Sequence, residues 1–104
     1  MSPSCPADTA GETRAAEFLV EVYVARSDGA SVGPSADRAR LAAEEVAREG
    51  TPVRWVRSIF VPEDETCFFL YEAETVEDVE RATQRASLGV ERIAQAVTTS
   101  KGTT

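Results

Sequence analysis

The chain has 104 residues, a formal net charge of −7 and no histidine. That length fits one domain. The excess of carboxylates leaves no basic stripe to displace counterions, so neither nucleic acid nor an anionic membrane surface is an expected partner. Two cysteines without CxxC spacing, in a chain lacking His, remove the common intrachain Cys/His zinc site.

Residues 1–16, MSPSCPADTAGETRAA, are rich in Ser, Pro, Thr and Ala and show no apolar periodicity. They read as a disordered tail holding Cys5, with no apolar segment of the signal-peptide kind. Residues 99–104 read the same way, which leaves 17–98 as the folded domain. No run is long enough to span a bilayer, and the expected location is cytoplasmic. A core of this size is marginal alone, and oligomerisation is the usual remedy.

Glu17–Arg26 alternates with period two and predicts a strand. Asp28-Gly29 and Gly33-Pro34 mark a loop. Ser35 is the expected N-cap of a helix whose apolar stripe is Ala39, Ala42, Ala43, Val46 and Ala47, with Leu41 on the charged face. Gly50 suits the position after the helix, and Pro52 prevents continuation.

Val53–Val61 and Thr66–Ala73 predict two strands around the polar turn Pro62-Glu63-Asp64-Glu65, a β-hairpin. Thr75 caps a second helix with a stripe of Val76, Val79, Ala82 and Ala86. Arg92–Thr98 fits a fourth strand, with a short helix as the competing reading. The order βαββαβ is the ferredoxin-like arrangement: an α+β fold with a four-stranded antiparallel sheet and both helices on one face.

Alternation assigns the strand residues to two faces. Val20, Val22, Val24, Val56, Phe60, Cys67, Phe69 and Tyr71 are expected beneath the helices. Leu19, Glu21, Tyr23, Trp55, Arg57, Ile59, Phe68, Leu70 and Glu72 are expected on the opposite face, which is too apolar to lie bare in water. Two such faces packed together would make a homodimer. Glu21, Tyr23, Trp55, Arg57 and Glu72 would then line a cleft that binds a small molecule or a cation. Adjacent carboxylates beside an arginine are also an acid/base set. Glu21, Glu72, Arg57 and Tyr23 are accordingly the catalytic candidates for an alternative, a cofactor-independent isomerase, cyclase or oxygenase. A purely structural salt-bridge network is the third reading. Cys67 lacks a neighbouring base and reads as a small core residue.

The segments FLVEVYV, VPEDETCF, YEAET and GVERIAQAV, across about 80 residues, resemble a family of small uncharacterised bacterial proteins that includes a described nickel-binding member. The resemblance implies a ferredoxin-like fold and dimers of the α+β-barrel kind. No metal ligand is carried over to a residue of this chain, and no cofactor is expected. A carboxylate-only set would give at most weak binding of nickel or another divalent cation.

Overall fold

The computed structural model describes residues 16–97. The expected tails, Cys5 included, lie outside that range apart from Ala16, which starts the first strand. The order is β1 (Ala16–Tyr23), a 3-10 segment (Arg26–Ser31), α1 (Val32–Arg48), β2 (Val53–Val61), β3 (Thr66–Ala73), α2 (Val76–Arg85) and β4 (Val90–Ala96). The strands form one antiparallel sheet in the order β2-β3-β1-β4. This is the ferredoxin-like α+β fold, and Val90–Ala96 is strand rather than helix.

β3 alternates without interruption: Cys67, Phe69, Tyr71 and Ala73 are buried while Phe68, Leu70 and Glu72 are half-buried. The buried set meets Phe18 and Val20 of β1, Ala39, Ala43 and Val46 of α1, and Val79 and Ala82 of α2. Alanines on α1 let its backbone approach the sheet closely, and Tyr71 and Phe69 fill the volume. Arg85 of α2 reaches Glu45 at 3.2 Å and Glu49 at 2.8 Å, tying the helices together on their outer side. Leu41 is exposed, as its place on the charged face of α1 requires.

The start of α1 differs from expectation. The helix begins one turn before Ser35, with Ser31 at the N-cap position and Pro34 within the first turn. Proline there loses no helical hydrogen bond, because the first amides have no partner. The ends of the other elements follow their local chemistry. Gly50 takes φ 108 after α1, and Thr75 Oγ1 accepts the Asp78 amide at 3.2 Å to cap α2. Glu65 closes the hairpin in the left-handed region at φ 50, and its carboxylate accepts the Arg26 amide at 2.8 Å.

Two irregularities set which residues reach which face. In β2 the register shifts between Trp55 and Arg57, so Val56 has no counterpart on β3. In β4 the shift falls at Glu91, between partners of Glu21 and Val22. Each is a one-residue bulge.

Candidate functional site

The helix-free face can be read as rows across the sheet. Arg54, Glu72, Glu17 and Ala96 form one row, and Arg57, Leu70, Leu19 and Ala94 the next. Ile59, Phe68, Glu21 and Arg92 form the third. Val61, Thr66 and Tyr23 close the end near the hairpin turn. The middle of the face is therefore apolar apart from Arg57 at its β2 edge, and the remaining charge is gathered towards its ends.

Of the five residues expected to share a cleft, Glu21, Tyr23, Arg57 and Glu72 occupy positions on this face, while Trp55 does not. The bulge at Val56 puts Trp55 opposite Tyr71, where it packs against the core beneath the helices. The same shift makes Val56 the bulged residue rather than an inward one, and brings Arg54 to the helix-free side opposite Glu72.

Glu21 and Glu72 are not neighbours. Glu72 stands opposite Glu17, and Glu21 lies four residues further along β1, about 13 Å at the usual strand rise. Each carboxylate has its own guanidinium. Arg54 donates from Nε and Nη2 to Glu72 Oε1 at 3.0 and 2.9 Å. Arg92 donates to Glu21 Oε2 at 2.7 Å. Glu72 was expected to meet Arg57, and its partner is Arg54. Alternation counted inward from Phe60 misses this, because the count slips at Val56. Nothing in the sequence around Arg92 signals its pairing with Glu21, because the register of an edge strand is not written in its own residues.

Two shallow spaces touch this set. Glu21 and Tyr23 line one of about 270 Å³ with Asp64, Glu65, Thr66 and Glu91. Trp55 lines another, of about 350 Å³ on the helix side, with Ala43, Ala47, Val53, Arg40, Glu44 and Arg54. Among the described residues two buried polar atoms have no hydrogen-bond partner: Trp55 Nε1 and the Tyr71 hydroxyl. Burial pushes the Tyr71 phenol well above its ordinary range, and it raises the Cys67 thiol as well.

Among the described residues no three His, Cys, Asp or Glu side chains are grouped so as to hold a metal ion. Cys67 is buried under the helices, on the opposite side from Glu21 and Glu72. No described helix is long and apolar enough to cross a membrane.

Residues 23–96 match the family model described as nickel responsive protein SCO4226-like. Among solved structures, the crystal structure of SCO4226 from Streptomyces coelicolor A3(2) is similar to this chain, with a TM-score of 0.67 and 15% sequence identity. That match covers 82% of this chain and 100% of the other. At such identity it speaks for the shared fold. No curated protein matches.

Proposed function

The chain belongs to the SCO4226-like family of nickel-responsive proteins, and from that premise we propose that it is a small dimeric binding protein of the bacterial cytoplasm. Two helix-free faces pack together and enclose a cleft for a small ligand. One observation carries this reading: Leu19, Phe68, Leu70, Ile59 and Ala94 make an apolar band across a face that neither α1 nor α2 covers. Ile59 is 48% exposed in the single chain. An uncovered band of this kind is the usual mark of an interface or ligand surface.

Nickel does not fit the residues on this face. Nickel favours imidazole and thiolate donors. The chain has no imidazole, and the described thiol lies in the core. Glu21 and Glu72 are far apart and each is engaged by an arginine, and Glu17 beside Glu72 does not complete a group of three donors among the described residues. No step of the proposed function is routed through a metal.

The test is the oligomeric state. Analytical ultracentrifugation at micromolar concentration is expected to give twice the chain mass, and Leu70→Asp to give a folded monomer. A wild-type chain that stays monomeric while folded would defeat the reading.

A further inference from the structure

We propose that the cleft on the helix-free face takes a small monocarboxylate with an apolar body, and that Arg57 holds its carboxylate. The inference rests on the reading of that face as a ligand cleft and goes further by naming the ligand class.

It starts from an imbalance. The cations at either end of the face are matched, Arg54 with Glu72 and Arg92 with Glu21. Arg57 sits between them, opposite Leu70, in a row completed by Leu19 and Ala94. Among the described residues its side chain has no ion pair or hydrogen bond, whereas Arg54 and Arg92, the other described arginines of this face, each have one. A chain of net charge −7 thus leaves a guanidinium without a counterion beside its apolar band.

Closing the face would desolvate that guanidinium. An ionised group taken out of water without a partner is strongly unfavourable, so something of opposite charge has to meet it. The geometry around Arg57 narrows what that is. Its fork of parallel N–H donors matches the two oxygens of a carboxylate. A phosphate would need further donors, and the neighbouring Leu70, Leu19, Ile59 and Phe68 side chains offer none. Those same side chains provide an apolar bed next to the charge. A compound with one carboxylate and a hydrocarbon or aromatic body satisfies both halves. The acidity of the chain as a whole repels anions at long range, so selectivity comes from this local pairing.

The experiment compares 4-phenylbutyrate with its neutral amide, 4-phenylbutyramide, by NMR titration of the full chain. The acid is expected to bind about tenfold more tightly, the usual scale for a hydrogen bond to a charged group. Arg57→Gln should abolish that preference and leave amide binding unchanged, and Arg57→Lys should keep part of it. Equal binding of acid and amide, or a preference that survives Arg57→Gln, overturns the inference and leaves the cleft standing. If neither compound binds a folded dimer, the inference also fails. If Arg57→Gln weakens the dimer and no charge preference exists, Arg57 pairs with a carboxylate of the second copy, and the inference is again overturned. Sedimentation of the same samples reads the dimer separately: a monomer that still prefers the acid keeps the role of Arg57 and loses the closed cleft.

Discussion

Trp55 and Tyr71 stand opposite each other across β2 and β3, and neither the indole N–H nor the phenolic hydroxyl has a hydrogen-bond partner among the described residues. Both atoms are buried, and Tyr71 has no exposed surface at all. A desolvated polar atom without a partner costs stability, and removing it while keeping the ring avoids that cost. Tyr71→Phe is therefore expected to stabilise the protein by about 1 kcal/mol in denaturant unfolding. A clear loss of stability would mean that the hydroxyl is bonded in solution.

The same burial predicts a dependence on alkaline pH. The folded-state values of Tyr71 and Cys67 are raised by desolvation. In the unfolded chain these groups lose their protons near the ordinary values of 10.0 and 9.0. Above those values the folded state holds more protons than the unfolded state, so stability falls as pH rises. Below about pH 8.5 the contribution of both groups is fully present. Thermal melts between pH 7 and 11 should show a decline that begins near pH 9 and is shallower above pH 10 in Tyr71→Phe. A flat profile would contradict the raised values.

The two ion pairs on the helix-free face are partly open to water in the single chain, with the arginines 65% exposed in each. Pairs of that kind contribute about 0–1 kcal/mol. Glu72→Gln and Glu21→Gln should each shift unfolding free energy by less than about 1 kcal/mol. By comparison Val46→Ala, which removes a fully buried side chain against the sheet, should cost about 2–3 kcal/mol. A carboxylate substitution as damaging as the core one would restore the structural network considered from the sequence.

Thr75 holds the first turn of α2 by accepting the Asp78 amide. Losing a threonine cap costs about 1 kcal/mol. Thr75→Ala should lower stability by that amount and Thr75→Ser should nearly restore it. Equal stability of all three would show that α2 is fixed by its packing alone.

Nickel or zinc titrated into the protein should show no stoichiometric binding at low micromolar concentration, because the described donors are scattered across the two sides of the sheet. Calorimetry reads this directly. A sub-micromolar site would require ligands supplied by more than the described part of one chain.

The order of elements and much of the core were legible because they depend on local periodicity, although buried Phe18, Val53 and Ala73 lie outside the set that alternation assigns inward. β3 shows the point well: its alternation places Cys67, Phe69 and Tyr71 inward without error. β2 defeated the same reasoning at one residue. Counting back from Phe60 assigns Val56 to the core and Trp55 to the open face, and the register shift reverses both. A bulge is a choice between pairing partners, so it is decided by the two strands together rather than by the residues of one. The expected Glu21–Glu72 proximity failed for a related reason. Adjacent strands guarantee neighbours only at matching register, and Glu72 matches Glu17. Arg57 landed on the face assigned to it because it lies beyond the slip.

Val56 also acts as a parity switch in the chain. Before it, odd-numbered residues of β2 point to the helices; after it, even-numbered ones do, as Val53 and Trp55 on one side and Ser58 and Phe60 on the other show. Removing Val56 would restore strict alternation and still leave Trp55 inward and Arg57 outward. Removing Ile59 instead would exchange the faces of part of the strand. β2 therefore tolerates a change of length at one position far better than elsewhere. A relative one residue shorter there would present the same two faces, although a gap-free alignment would pair its residues with the wrong ones.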